Sequence, residues 1–484
     1  MPATRPSGRQ FPADFVWGSA TASYQIEGAA TEGGRGPSIW DTFATVPGAV
    51  LNGDTGLVAD DHYHRVPEDV ALMQEIGLEA YRFSISWPRV QPTGSGEWNE
   101  EGIAFYVDLV DRLLAAGINP VVTLYHWDLP QPLEDEGGWT NRRTAYLFAD
   151  YARKMAEVLG DKIEIWTTLN EPWCSAYLGY ASGVHAPGRQ DQAASLAAVH
   201  HLNLAHGLAS TAIREVLGED TTVSITLNLH VTRADSDAAE DLAARHKIDL
   251  IANEVFLQPI FEGRYPEEIF AQTAAVSDWS FVQDGDLELI HQPLSLLGVN
   301  YYSTGRVRKL HGEPKVGDGS PGVDGHKSSV VSTWVGAEDV EWLPQPGPHT
   351  AMGWNQEPQG LTDLLVSLHQ RYPELPMAIT ENGAAFADQV SADGRVHDED
   401  RVSYLHDHID AVGAAMDQGA DVRGYFVWSL FDNFEWAYGY DRRFGIVRVD
   451  YDTLERIPKD SAYWYSELIR TGTIAPVETA PQLG

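Results

Sequence analysis

The chain has 484 residues, 43% hydrophobic and 21% charged, and its 70 acidic against 33 basic side chains give a formal net charge of −37. That composition is globular and not disordered, and so acidic a surface repels phosphate backbones and anionic lipid headgroups, so neither nucleic acid nor a membrane is an expected partner. The single cysteine, Cys174, excludes an intrachain disulfide and any cysteine-based metal cage.

The N-terminal MPATRPSGRQFPADF lacks the apolar stretch of a secretory signal, and no later run is long enough to span a bilayer, so a cytoplasmic location is expected. Eight short runs dense in Val, Ile, Tyr, Phe and Trp then follow: FVWGSAT (15–21), AYRFSISW (80–87), NPVVTLYHW (119–127), IEIWTTLNEP (163–172), TVSITLNLH (222–230), LSLLGVNYYS (294–303), LPMAITENG (375–383) and VRGYFVWSLFD (422–432). They are continuously apolar rather than alternating, as strands buried on both faces of a parallel sheet are. Helix-period segments lie between them. EEGIAFYVDLVDRLLAAG (100–117) sets Ile103, Tyr106, Leu109, Val110, Leu113 and Leu114 at helical spacing, with Gly117 just past the end, where glycine relieves left-handed strain. TAYLFADYARKMAEVLG (144–160) repeats the design.

Strands alternating with helices predict an α/β fold, a (β/α)8 TIM barrel closed as a single domain over 1–484, with its core at about 10–472 and a loose tail at 473–484. An open doubly wound sheet is the alternative, but no GxGxxG opens a helix after the first strand. The stretch 306–354, rich in Gly and Pro and weakly periodic, is a long loop expected over the C-terminal mouth of the barrel.

Polar residues gather at the C-terminal ends of these strands. Gln25 and Glu27 follow the first, Arg82 lies in the second, and His126 and Trp127 end the third. Asn170 and Glu171 end the fourth, Asn300 and Tyr302 the sixth, and Glu381 and Asn382 the seventh; Trp428, Glu435 and Trp436 belong to the eighth and its loop. Each alone has an ordinary reading: a solvated loop acid, a core tryptophan, a satisfied histidine. In a barrel, however, strand ends converge on one cavity. Glu171 and Glu381 face each other across it. No His/Cys cluster, phosphate loop or nucleophile elbow accompanies them, and lysine is nearly absent from strand ends, which counts against Schiff-base chemistry. Carboxylates amid aromatics and amides suit a sugar: rings take the C–H faces of a pyranose, amides its hydroxyls, and acetal cleavage needs an acid and an anion beside the anomeric carbon. No metal or cofactor is expected for it.

TLNEP (168–172) and ITENG (379–383) resemble the acid/base and nucleophile signatures of family 1 glycoside hydrolases, the β-glucosidase family. The resemblance runs from FVWGSATASYQIEG (15–28) through YRFSISWPRV (81–90), VTLYHWDLPQ (122–131) and GVNYYS (298–303) to WSLFDNFEWAYGYDRRFGIVRVD (428–450). It implies a barrel and a double displacement with retention. Glu381 is then the nucleophile, Glu171 the acid/base, and the two carboxyls are expected about 5–5.5 Å apart. By the same resemblance Arg82 and Tyr302 lower the pKa of Glu381, and Asn170 contacts the sugar 2-hydroxyl. Gln25, His126, Trp127, Asn300, Glu435, Trp436 and Phe444 are expected to bind the glycone over Trp428. Trp173, Tyr177, Leu178, His185, Trp334 and Trp354 are candidates for the aglycone entrance.

Glu435 stands where phosphosugar-active members carry a smaller residue, and FEWAYGYDRR has no lysine, so unphosphorylated sugars are expected. Glu171 stands where plant thioglucosidases carry Gln. MGWNQEPQGL (352–361) departs from the family pattern at Asn355, Gln356 and Glu357, which bears on leaving-group preference. Cys174 reads as a small packed hydrophobe. The expectation is a β-glucosidase for small-molecule substrates, cello-oligosaccharides and aryl or alkyl β-glucosides, acting also on β-galactosides or β-fucosides. A mainly transglycosylating enzyme and a non-catalytic sugar-binding barrel are the alternatives.

Overall fold

The computed structural model describes residues 8–312 and 328–474. Its centre is a closed barrel of parallel strands in sequence order: β1 (Val16–Ala20), β2 (Ala80–Ser84), β3 (Asn119–Tyr125), β4 (Ile165–Asn170), β5 (Thr222–Leu227), β6 (Leu296–Asn300), β7 (Met377–Asn382) and β8 (Val422–Trp428). Each lies inside a segment the sequence predicts, but each stops short of that segment's C-terminal end. The reason is local. Trp127 (φ 76°) and Glu171 (φ 46°) have left the ladder for the left-handed region, a conformation that costs a non-glycine residue roughly 1–3 kcal/mol. Trp127 and Glu171 therefore belong to turns, while Arg82, Asn170, Asn300, Glu381 and Trp428 stay in the sheet as its last or nearly last residues.

Register brings those ends to one level. Ala20 pairs with Arg82 and Trp428, Asn170 with Thr226, and Glu381 with Asn300. Inside the barrel, Gly298 on β6 makes room: a Cβ there would fall 2.4 Å from Thr226 Oγ1 and 2.8 Å from Thr380 Oγ1. The space lets Thr226 donate to Thr380 (3.2 Å) and Thr380 donate to Asn300 Oδ1 (2.8 Å), which orients the Asn300 amide.

Helices Glu100–Ala115 and Arg143–Leu159 form where the sequence predicts them. Leu114 is a correction: it is 40% exposed, while its five predicted partners are buried. The stretch after β6 also departs from a plain loop. Its residues Thr304–Lys309 pair in parallel with Val231–Ala234 and antiparallel with Val340–Trp342. Residues 313–327 of that stretch lie outside the described residues, as do 475–484 of the expected tail. Thr473 and Ile474, expected to be loose, are held: Thr473 bridges Gln10 and the buried Ile474 donates its N–H to Arg9 O. Among the described residues no helix is long and apolar enough to cross a membrane.

Beneath the loop that follows β8 lies a buried ion network. Arg401 bonds Asp388 and Asp398, while Lys459 bonds Asp388 and Asp432, all of them buried. Removing one member of such a network strands the opposite charges in a dry environment. Arg401→Leu is therefore expected to destabilise the fold by about 3–5 kcal/mol, read as a lower urea midpoint at unchanged m-value.

Candidate active site

The strand ends enclose a cavity of about 400 Å³. His126 and Trp127 beyond β3, Glu171 beyond β4, Asn300 and Tyr302 from β6, Glu381 from β7 and Trp428 from β8 all line it, with Glu435, Trp436 and Phe444 from the loop after β8.

Both carboxyls are fixed by hydrogen bonds, and one chain of donors connects them. Glu381 Oε1 accepts from Arg82 Nη1 (2.7 Å) and Oε2 from the Tyr302 hydroxyl (2.8 Å). Arg82 Nη2 donates to Asn170 Oδ1 (2.7 Å), as does Asn300 Nδ2 (3.2 Å), and Asn300 Nδ2 also donates to Glu171 Oε1 (2.6 Å). Because a guanidinium only donates, Asn170 must turn its oxygen toward Arg82 and its Nδ2 toward His126 Nε2, 3.1 Å away. Nε2 then accepts, so the proton of neutral His126 sits on Nδ1. That nitrogen is buried and has no partner among the described residues, and burial, then Arg82, holds the imidazole well below its usual pKa. The result is an unused donor.

Gln25 Oε1 and Glu435 Oε2 are likewise buried without a partner among the described residues. Gln25 is not one of the residues bordering the cavity; its amide donates to Asn433 and to Phe434 O, in the turn that carries Glu435. Burial costs an unpaired polar group free energy, and a ligand rich in hydroxyls would offset that cost for His126 and Glu435, which border the cavity. Aromatic rings supply the complementary surface. Trp428 stacks on His126 (5.6 Å between centroids), and Trp436 packs against Trp127 (4.7 Å).

The proton states differ between the acids. Burial, reinforced by the Glu381 charge, pushes Glu171 up to about 8. Burial also raises Glu435 to about 8. For Glu381 the expected lowering is corrected: burial outweighs its donors and raises it, while Arg82, Tyr302 and Asn300 pull it back. The two differ in what opposes burial: Arg82, Tyr302 and Asn300 act on Glu381, whereas on Glu171 the Glu381 charge adds to it.

The entrance candidates divide. Trp173, Leu178 and His185 line the cavity. Tyr177 is fully buried behind Trp173 (5.7 Å) and does not line it. Trp334 does not line it either, and packs on Trp173 (5.2 Å) and His230 (5.4 Å). Trp354 reaches the cavity from the Glu381 side, against Tyr302 (5.3 Å) and Phe444 (6.1 Å). Asn355 and Glu357, which depart from the family pattern, do not border the cavity and instead bond Thr304.

Asn228 and His230 also line the cavity. Neither is among the residues expected from sequence, although the end of β5 carries the same strand-end polarity that marks the others. Cys174 is a further correction, since its thiol donates to Glu171 Oε2 at 3.1 Å and is no mere filler. Among the described residues no group of three or more His, Cys, Asp or Glu is arranged to hold a metal ion.

Known proteins are similar to this chain over almost its whole length. The model of glycosyl hydrolase family 1 matches residues 7–473. A bifunctional β-D-glucosidase/β-D-fucosidase of Bifidobacterium breve is 53% identical over 467 residues, 95% of this chain and 98% of that protein. β-Glucosidase A of Acetivibrio thermocellus is 44% identical over 461 residues, 95% of this chain and 98% of that protein. Among solved structures, the psychrophilic β-glucosidase of Micrococcus antarcticus superposes with a TM-score of 0.91 at 48% identity, covering 96% of this chain and 98% of its own. The family 1 β-glucosidase of Thermotoga maritima gives 0.89 at 43% identity, covering 97% and 99%. The chain belongs to glycosyl hydrolase family 1.

Proposed function

We propose that the protein is a retaining β-glucosidase, which removes terminal β-D-glucosyl residues from cello-oligosaccharides and from aryl or alkyl β-glucosides. The observation that carries the reading is the pair of buried carboxyls with unlike donors. Glu381 is bonded by the Arg82 guanidinium and the Tyr302 hydroxyl, whereas Glu171 has, among the described residues, only an amide and a thiol, is raised to about 8 and so holds a proton at neutral pH. Glu381 attacks the anomeric carbon as Glu171 protonates the departing oxygen; Glu171 then takes a proton from the water that cleaves the glycosyl ester. Esterification removes the charge of Glu381, one cause of the raised Glu171 pKa, so the same carboxyl becomes a better base when the second step needs one.

His126 Nδ1, Glu435 and Gln25 Oε1 supply donors and acceptors for the glycone hydroxyls, and Trp428 its apolar face. A carboxyl and a carboxamide serve either epimer at C4, and a relative carries β-fucosidase in its name; β-fucosides and β-galactosides are therefore included. No Lys or Arg is found among the residues that line the cavity, which favours unphosphorylated sugars. Proton NMR of an aryl β-glucoside during turnover should show β-glucose first and the α-anomer only later, by mutarotation. An α-anomer formed first would replace the reading with an inverting mechanism.

A further inference from the structure

One polar group at the acid/base carboxyl takes no part in the double displacement. Cys174 follows β4 by one turn, with its N–H donating to Glu171 O (3.0 Å), and its Sγ lies 3.1 Å from Glu171 Oε2. On its other side Sγ is 3.5 Å from Asn228 Nδ2, which can only donate to it. The sulfur's own hydrogen is thereby left for Glu171. The opposite oxygen, Glu171 Oε1, is held by Asn300 Nδ2 at 2.6 Å. An amide N–H donates and cannot accept, so Oε1 is the carbonyl-like oxygen and the carboxylic proton belongs on Oε2. Among the described side chains, the one facing Oε2 at hydrogen-bond distance is a thiol, both a weak donor and a weak acceptor.

We propose that Cys174 is a positioning residue that keeps the transferable proton of Glu171 on Oε2, its thiol accepting from Oε2–H in the acid form and donating to Oε2 in the anion. The proposal rests on Glu171 being the acid/base. In the first step the Oε2 proton passes to the glycosidic oxygen as its bond to the anomeric carbon breaks. The S–H then rotates to donate to the new carboxylate. In the second step water bonds to the anomeric carbon, the Glu381 ester bond breaks, and the water's proton goes to Oε2, so S–H turns away again. Cys174 keeps its own proton throughout, consistent with burial pushing the thiol well above its usual range. A weak acceptor suits this place because a glycosidic oxygen displaces it readily, where a carboxylate or carbonyl would hold the proton back.

The test is the full-length chain carrying Cys174→Ala or Cys174→Ser, with kcat/KM measured against pH on cellobiose and on 2,4-dinitrophenyl β-glucoside. The thiol hydrogen bond lowers the Glu171 pKa, so its loss in Cys174→Ala should move the basic limb on cellobiose to higher pH, by roughly half a unit to one unit. Activity on cellobiose should also fall about tenfold, the scale of one weak hydrogen bond to a charged group. The dinitrophenyl substrate needs no proton on its leaving oxygen and should be nearly unaffected. It also serves as the control for the other charged groups around Glu171, namely Glu381, Glu435 and Arg82, whose states it shares. Serine can donate and accept in the same place, so Cys174→Ser should leave the limb at or below its wild-type position and keep the cellobiose-to-dinitrophenyl ratio. Equal losses on both substrates, an unmoved limb in Cys174→Ala, or an upward-shifted limb in Cys174→Ser would each overturn the proposal. Glu171→Ala is run beside them. If it too loses activity equally on both substrates, the acid/base assignment fails; if it discriminates between them and Cys174→Ala does not, only the role of Cys174 fails.

Discussion

Glu381→Gly should lose hydrolysis of every β-glucoside by roughly 10⁵- to 10⁶-fold, the scale on which covalent nucleophiles are lost, and azide should restore turnover of 2,4-dinitrophenyl β-glucoside as the α-glucosyl azide. The loss corresponds to about 7–8 kcal/mol of transition-state stabilisation. Rescue follows from what the substitution leaves behind. Arg82 Nη1 and the Tyr302 hydroxyl both donate to the wild-type carboxylate at 2.7 and 2.8 Å, and removing it leaves these donors around a space with the shape of a small anion. Azide placed there attacks the face that Glu381 attacks, but no second displacement follows, so configuration inverts. Mass spectrometry and NMR of the product check both points. A β-azide, or hydrolysis near the wild-type rate, would assign the nucleophile to another residue.

The same donors explain how so acidic a pocket works on neutral substrates. Three acids, Glu171, Glu381 and Glu435, line one cavity, yet at neutral pH burial keeps Glu171 and Glu435, both near 8, largely protonated. The Arg82 guanidinium is set against Glu381, so the cavity does not share the −37 that the chain as a whole carries. Among the described residues that line the cavity none is a Lys or Arg, and Arg82 beside it is already committed to Glu381 and Asn170, so a phosphate would meet no free cation there.

The fold was readable in the sequence because parallel strands buried on both faces give unbroken apolar runs, and all eight runs correspond to barrel strands. Strand ends were less readable. TLNEP continues the apolar pattern into residues that have turned out of the ladder, and Glu171 at φ 46° carries no local signal of that conformation. Glu171 and Glu381 could be named from their motifs, but the sign of the Glu381 shift could not. It depends on burial, which is a property of the closed mouth and not of the motif. Cys174 is buried in the core as its residue type suggests, but its hydrogen bonds are not legible for a related reason: its partner Asn228 lies just beyond β5, 54 residues away, and only the folded barrel places the two side by side.

Glu171→Ala should separate substrates by leaving group. Cellobiose and alkyl β-glucosides leave as poor alkoxides unless protonated, and should lose about 10²- to 10⁴-fold in kcat/KM, the usual contribution of a general acid. 2,4-Dinitrophenyl β-glucoside leaves as a stable phenolate, and its first step should be nearly intact. The second step still lacks its base, so the glycosyl-enzyme accumulates and the dinitrophenolate appears as a burst. Azide, which needs no base, should relieve that block and give the β-glucosyl azide, opposite in configuration to the Glu381→Gly product. The pH profile carries the same argument. Wild-type kcat/KM on cellobiose should fall as pH rises through about 8, because Glu171, raised by burial and by the Glu381 charge, then loses the proton that it must donate. In Glu171→Ala that Glu171-dependent fall should vanish, leaving any contribution from Glu435, which titrates in the same range. The dinitrophenyl substrate reports Glu435 alone, so the difference between the two wild-type profiles belongs to Glu171. Identical profiles on the two substrates, or equal losses in Glu171→Ala, would place the proton donor elsewhere in the cavity.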